Sequence, residues 1–281
     1  MNRTLALPLL LACAALGACS AKELSPSQEY YVGRSVSATA MFDASGQLKG
    51  LYKDEVLERY VQLVGLTVAM DSDRPELFKG YQFGVLNSDD VNAFATPGGF
   101  VFVTTGALKQ MESEDELAGV LGHEIAHINL RHPEDHANRA TTQAGTMDAL
   151  NKSAGFMAWL LSLFGYGREV ALVSSLAQGL GGVVDGFLKE VMVNGYGRDS
   201  ELAADGLSVR VLCREGVRYD PRALKAFISR LPKKERGAWS THPGLDGRLE
   251  AIEQEIGKQT GPVPATDPAR SVRFKKHVAG L

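Results

Sequence analysis

The sequence has little cysteine and almost no net charge. Its 281 residues include three cysteines, and 30 basic residues nearly balance 33 acidic ones, for a formal net charge of −3. So few cysteines exclude a disulfide-stapled scaffold, and without a basic excess we expect no nucleic-acid partner. Hydrophobic residues at 44% and charged residues at 22% are typical of a globular protein. The length allows one large domain or two small ones.

Residues 154–184 form an apolar stretch whose two halves are each shorter than a membrane span. Arg168 and Glu169 divide it into two parts. Neither part reaches the roughly 18 uncharged residues that a membrane-spanning helix needs. We interpret the stretch as a hydrophobic hairpin that packs over a cleft or dips into the face of a bilayer. An ordinary pair of core helices is the alternative.

Residues 1–18 have the pattern of a secretory signal peptide. A positive charge near the start is followed by an apolar run and by small residues before Cys19. The string Leu16-Gly17-Ala18-Cys19 resembles a bacterial lipobox, which predicts cleavage before Cys19 and lipid attachment to its thiol. Ser20 after the cysteine favours the outer membrane of a Gram-negative bacterium, and therefore a periplasmic location. A plain signal peptide with an incidental cysteine is the alternative.

The rest of the chain is predicted to form a single α+β, mainly helical domain. Residues 19–30 have the composition of a tether, residues 31–257 carry the helical and strand patterns, and the proline-rich residues 258–281 are expected to be a loose tail. Runs of aromatic and β-branched residues predict a small antiparallel sheet with hairpin turns. The three predicted strands are residues 81–86, 91–95 and 100–104.

A predicted helix carries the most informative chemical motif. Ser113 and Glu116 have the spacing of a capping box, which predicts a helix over residues 114–131. Inside it lies His123-Glu124-Ile125-Ala126-His127, where the i, i+4 spacing places both imidazoles on one face. Two neutral nitrogen donors suit zinc, and Glu124 can accept a proton from water beside the metal. The motif therefore predicts a zinc-dependent hydrolase site.

The third metal ligand is predicted to come from a later helix. Leu130 and Pro133 stand where a metzincin would have glycine and histidine, so that class is excluded. Glu201 is the candidate ligand, and Asp205 lies one turn further on the same face. A carboxylate so placed can hold a ligating histidine through its other ring nitrogen. Many surface helices carry such a pair, so this signal is weak by itself.

Three further histidines lie outside this motif, and their positions in the sequence predict different roles. His132 and His136 follow the motif too closely along the chain to join the same metal, so we expect structural or surface roles for them. His242 precedes Pro243, which favours extended backbone at a loop–helix junction, where the ring can lean into a cleft. A capping or surface histidine is the alternative there.

Four motifs, in this order along the chain, resemble the HtpX/Oma/CAAX-prenyl-protease family of gluzincin zinc metallopeptidases. They are residues 92–101 (NAFATPGGFV), 123–127 (HEIAH), 201–205 (ELAAD), and Thr241-His242-Pro243 followed by Arg248. The resemblance covers about residues 81–253. With the signal, the lipobox and the length, it is similar to the periplasmic lipoprotein branch typified by LoiP and BepA, without the C-terminal helical-repeat domain of BepA. It implies a zincin-like fold, with the small sheet beside the motif helix.

The resemblance also implies the metal ligands and the catalytic groups. His123, His127 and Glu201 would hold one Zn²⁺ per chain. Glu124 would act as general base. Asp205 would have a supporting role, sometimes described as that of a proton donor.

The remaining implied residues concern the substrate. His242 would stabilise the oxyanion or occupy the open zinc position in a resting state, and Arg248 would orient it or bind substrate. An extended peptide would pair with an edge strand near Asn92 and Ala93, which demands little of its sequence.

Three hypotheses about function remain open. The first is a zinc metalloendopeptidase of the cell envelope that degrades misfolded or misassembled outer-membrane or periplasmic proteins. The second is a chaperone-like assembly lipoprotein whose zinc site is autoinhibited or rarely used, which the apolar residues 154–184 would suit. The third is a structural lipoprotein without metal. The expected partners are unfolded envelope proteins, the outer membrane through the lipid anchor, and outer-membrane assembly machinery.

Overall fold

The computed structural model describes residues 24–41, 50–143, 195–231, 242 and 245–281. The predicted signal, Cys19 and the apolar stretch 154–184 lie outside them. Among the described helices, none has the combined length and hydropathy of a membrane span. In chain order the elements are α1 (Pro26–Met41), α2 (Glu55–Ala69), β1 (Gln82–Leu86), β2 (Ala93–Thr96), β3 (Phe100–Thr104), α3 (Thr105–Gln110), α4 (Glu114–Asn129), α5 (His132–Gln143), α6 (Arg198–Leu212), α7 (Arg222–Arg230), α8 (Leu245–Gly257) and α9 (Pro268–Val278).

Helix α4, which carries the predicted metal motif, lies at the centre of the fold. It packs against α2, α6, α7 and α9 and beside β2. Every residue from Glu114 to Ile128 is buried. At its start the side chain of Ser113 accepts a hydrogen bond from the backbone of Glu116, as the capping pattern predicts. The predicted α+β, mainly helical fold class is confirmed, and the motif is enclosed on all sides.

The sheet is mixed, so the prediction of an antiparallel sheet is wrong for one of its two strand pairs. The strand order is β1-β3-β2, with β2 antiparallel and β1 parallel to β3. Because β3 lies between β1 and β2, the six residues 87–92 cross over instead of closing a hairpin. Hydroxyl groups hold this connection at the end of β3, since Thr104 donates to the carbonyl of Asp90 and Thr105 to that of Ser88.

Strand β3 lies at the centre of the sheet and is buried on both faces. Strand β2 therefore forms one edge of the sheet, as far as the described residues extend. Val101 and Val103 point into the main core. Phe100 and Phe102 point to the other face and form a second apolar cluster with Phe94 of β2. The edge of β2 lies beside the motif helix α4.

Helix α1 packs closely on the turn that joins β2 to β3. Gly98 in this turn has φ 73°, and a Cβ atom there would lie 2.5 Å from the Cα atom of Tyr30. A Cβ atom on Gly33 would lie 1.7 Å from the carbonyl oxygen of Pro97. Glycine is therefore required on both sides of this contact. The helix begins at Pro26, so the last residues of the predicted tether are helical.

The prediction of a loose C-terminal tail is wrong, because residues 268–278 form α9. Asp267 caps the helix by accepting from the backbone of Ala269, and Pro268 occupies the first turn. Phe274 is fully buried against the main core. Arg273 of this helix pairs with Glu114 at the start of α4. The tail therefore packs on the core.

Candidate metal centre

Three segments bring the predicted site residues together. Helix α4 contributes His123 and His127, and helix α6 contributes Glu201 and Asp205. His242 lies close before α8, which contributes Arg248 in its first turn. The six side chains of His123, Glu124, His127, Glu201, Asp205 and His242 are all at most 1% exposed.

Four side chains converge with their ligand atoms within 4.8 Å of one another, namely His123, His127, Glu201 and His242. The Nε2 atoms of His123 and His127 are 3.0 Å apart. Each lies 3.4 Å from a carboxylate oxygen of Glu201. Nδ1 of His242 lies 3.3 Å from Nε2 of His123 and 3.0 Å from Glu201. This is the only such cluster among the residues that the structure describes.

Asp205 contacts His123 of this cluster, and Arg248 contacts Glu201. Nδ1 of His123 lies 2.9 Å from Asp205, which leaves Nε2 directed at the cluster. Arg248 donates to both oxygens of Asp205 at 2.7 Å, and its Nη1 lies 2.8 Å from Glu201. The guanidinium is fully buried between the two carboxylates. This position favours an orienting role for Arg248 over direct contact with substrate.

Glu124 is a buried carboxylate without a hydrogen-bond donor. It is 0% exposed, and neither of its oxygens has a hydrogen bond in the structure. Its nearest cationic group is Nε2 of His242, 3.3 Å from Oε1. A charge buried in this way is costly unless a further group, such as water or a cation, contacts it. The side chain is therefore placed to receive a proton at the cluster.

Of the two predicted substrate-binding residues, Ala93 of β2 contacts His242, and Asn92 directly precedes this strand. Nε2 of His242 is 3.3 Å from the carbonyl oxygen of Ala93. The side chain of Asn92 accepts from the backbone N–H of Ala93 at 2.9 Å. The carbonyl of Ala95 accepts from the hydroxyl of Tyr196 at 3.4 Å. Both carbonyls point away from β3, toward the side where a further strand would pair.

Sequence reasoning did not find two aromatic side chains that contact His127. The ring of Tyr196 stacks on that of His127, with centroids 4.0 Å apart. Nδ1 of His132 lies 2.8 Å from Nδ1 of His127. The glycines on either side of Tyr196, Gly195 and Gly197, are the signal that the sequence offers directly before α6.

The donor set and its charge fit a divalent metal ion. Glu124, Glu201 and Asp205 bring three negative charges, against the one positive charge of Arg248. Burial alone would lower the pKa of His242, but the carboxylates of Glu201 and Glu124 outweigh it and raise that pKa to about 10. The site thus attracts positive charge. Two imidazoles and one carboxylate are also a common catalytic zinc ligand set.

Comparison with known proteins agrees with this geometry. The sequence profile of peptidase family M48 matches residues 55–256. The chain is 25% identical over 300 aligned positions to the beta-barrel assembly-enhancing protease of Yersinia pestis, covering 100% of this chain and 58% of that protein. It is 27% identical over 212 positions to the protein of that name in Escherichia coli K12, covering 72% and 40%. It is 28% identical over 195 positions to a protease HtpX homolog of Bacillus subtilis, covering 63% and 64%.

The family profile spans well over half of the chain and includes His123, His127 and Glu201. By contrast, the chain spans only 40–58% of the length of the two assembly-enhancing proteases. The chain belongs to peptidase family M48, whose members are metallopeptidases.

Proposed function

We propose that this chain is a zinc endopeptidase of the bacterial envelope that degrades misfolded or misassembled outer-membrane or periplasmic proteins. The observation that carries the proposal is the buried His123–His127–Glu201 cluster with the unbonded carboxylate of Glu124 beside it. The envelope setting is supported by the lipobox around Cys19. It is also supported by relatives named as beta-barrel assembly-enhancing proteases.

In the proposed mechanism His123, His127 and Glu201 hold the metal. Zinc at this position supplies Lewis acidity, which makes water more acidic and the scissile carbonyl more electrophilic. Glu124 takes the proton from the attacking water and passes it to the leaving amine. Asp205 keeps His123 in the tautomer that directs Nε2 inward, and Arg248 fixes the position of Asp205.

His242 occupies the place that a catalytic site needs to keep open. A zinc ion with four protein ligands has no position for substrate, whereas catalytic sites have three protein ligands. We infer a resting arrangement in which His242 closes the site and also contacts the carbonyl oxygen of Ala93. If His242 moved away, the cluster would keep three ligand side chains, and the Ala93 carbonyl on the outer edge of β2 would become available. An extended peptide can then pair with β2 through main-chain hydrogen bonds.

The direct test of the mechanism is Glu124→Gln. The amide keeps the size of the side chain but cannot accept the proton, so we expect cleavage of an unfolded protein substrate to fall by about 10²–10⁴-fold. Zinc content, measured by elemental analysis, should stay at that of the wild type. Glu58→Gln, on the exposed face of α2, is the matched control and should cleave normally. Full proteolysis by the Glu124→Gln protein would refute the mechanism.

The alternative function is a chaperone-like assembly lipoprotein with an autoinhibited site, and the position of His242 favours it. Expression of the Glu124→Gln protein in a strain that lacks the chain distinguishes the two. Rescue of the envelope-stress defect would favour the chaperone, and failure of rescue would favour the protease. Purified protein without stoichiometric zinc would instead support a structural lipoprotein.

A further inference from the structure

The chain reverses direction directly after the metal helix. Helix α4 ends at Asn129, and α5 begins at His132. Between them Arg131 has φ 62°, a left-handed conformation that is unfavourable for a residue with a Cβ atom. Its side chain is held by Glu29 of α1, with Nη2 2.6 Å from the carboxylate. The reversal brings the first side chain of α5 back against the last turn of α4.

The result is a close contact between two imidazole rings. Nδ1 of His132 lies 2.8 Å from Nδ1 of His127, and the ring centroids are 5.0 Å apart. Two ring nitrogens at this distance must share one proton, because two lone pairs or two N–H groups would repel each other. One imidazole is therefore the donor and the other the acceptor.

The cluster determines which ring donates. Nε2 of His127 faces Nε2 of His123 and the carboxylate of Glu201. A metal ligand must present a lone pair there, so the proton of His127 has to be on Nδ1. His132 must then be neutral and accept through its Nδ1.

We propose that His132 is a positioning residue for the metal centre: it accepts the Nδ1 proton of His127 and thereby fixes both the tautomer and the ring orientation of that ligand. The proposal rests on the proposed ligand role of His127. It makes the two histidine ligands unequal, since His123 is supported by the charged carboxylate of Asp205 and His127 by a neutral imidazole. A carboxylate acceptor raises the basicity of a ligand more than a neutral acceptor does.

A graded series of substitutions tests the proposal through zinc affinity, measured by competition with a chelator. His132→Leu removes the acceptor and should weaken zinc binding about 10–100-fold. His132→Asn places an amide oxygen near the former Nδ1 and should recover most of the loss. His132→Asp supplies a charged acceptor and should bind at least as tightly as the wild type. His136→Leu, one turn further along α5, is the matched control and should change little.

Nitrogen NMR of the histidine rings gives a second measurement that does not depend on affinity. In the zinc-loaded wild type we expect the proton of His127 on Nδ1 and a scalar coupling between the two Nδ1 atoms across the hydrogen bond. Absence of that coupling, or equal loss of affinity in His132→Leu and His136→Leu, would overturn the proposal. A chain that binds no zinc would refute the proposed function instead. The spectrum of the zinc-free protein would then still show whether His127 carries its proton on Nδ1.

Discussion

At the scale of single residues, Arg248 connects the two functional carboxylates of α6. Its guanidinium contacts Asp205 through two hydrogen bonds and Glu201 through an ion pair, and all three side chains are fully buried. A buried ion pair adds little stability over an apolar replacement of the whole group, but removal of one partner leaves uncompensated charge. Arg248 is thus the residue whose loss disturbs both carboxylates at once.

We expect Arg248→Met to lower the free energy of unfolding by about 3–5 kcal/mol, because Asp205 and Glu201 lose their shared cation. Urea denaturation at one zinc concentration measures the change. The control is Arg210→Met on the same helix as the two carboxylates, since Arg210 is 49% exposed where it pairs with Glu255. Its loss should cost at most about 1 kcal/mol. Equal effects of the two substitutions would contradict the buried network.

The spacing within motifs predicted which residues share a helix face, but not which rings touch across a chain reversal. His123 and His127 are one helical turn apart, so their convergence follows from local geometry. The sequence spacing predicts that His132 is not a ligand of the same metal, and His132 is not part of the four-residue cluster. Its contact with His127 depends on the left-handed Arg131, which no local pattern predicts because arginine rarely adopts that conformation.

At the scale of elements, arginines from two other helices hold the acidic first turn of α4. Glu114 pairs with Arg273 and Asp115 with Arg270, both from α9. Glu116 pairs with Arg230, the last residue of α7. Acidic residues in the first turn of a helix are favoured by the helix dipole. Their burial against arginines shows that they also dock α7 and α9 onto the metal helix.

Docking of α9 predicts a large difference between two neighbouring apolar residues. Phe274 is fully buried, so Phe274→Ala should lower the free energy of unfolding by about 3–5 kcal/mol. Val272 lies on the same helix but is 71% exposed, and Val272→Ala should change stability by no more than about 0.5 kcal/mol. Thermal or urea unfolding of the two variants measures this difference in stability. An unchanged free energy of unfolding in the Phe274→Ala protein would mean that α9 does not stabilise the domain.

The contact between α1 and α5 predicts a dependence of stability on pH. Burial is the main cause that raises the pKa of Glu134 from 4.5 to about 8, and the charge of Glu29 adds to it. The charges of Arg74 and Arg131 oppose the shift. The folded protein therefore keeps a proton that the unfolded chain loses, and stability falls as pH rises between these values.

Glu134→Gln should abolish this part of the pH dependence. Relative to the variant, the wild type should lose up to about 1.4 kcal/mol of stability per pH unit within that window. Urea denaturation at several pH values measures the difference. Glu250→Gln, at an exposed position of α8, is the control and should follow the wild type. Parallel curves for the wild type and Glu134→Gln would contradict the raised pKa.

At the scale of the whole molecule, the proposed envelope location depends on Cys19. We expect Cys19→Ala to move the chain from the membrane fraction to the soluble fraction, because several acyl chains are needed for stable anchoring. Mass spectrometry of the membrane-extracted wild type should find the lipid at Cys19. Cys13→Ala, within the predicted signal, is the control and should leave the fractionation unchanged. Membrane retention of the Cys19→Ala protein would refute lipidation at this residue.

The sequence by itself determined the helical character and the metal motif, because helix periodicity, caps and i, i+4 spacing are local properties of a chain. Its four ordered motifs carried the resemblance to the family. Tertiary structure decided the parallel pairing of β1 with β3, the packing of the C-terminal helix and the burial of Arg248 between two carboxylates. It also placed His132 and Tyr196 on His127. These features join residues distant in sequence or separated by a chain reversal, and their contacts exist only after the helices have packed around α4.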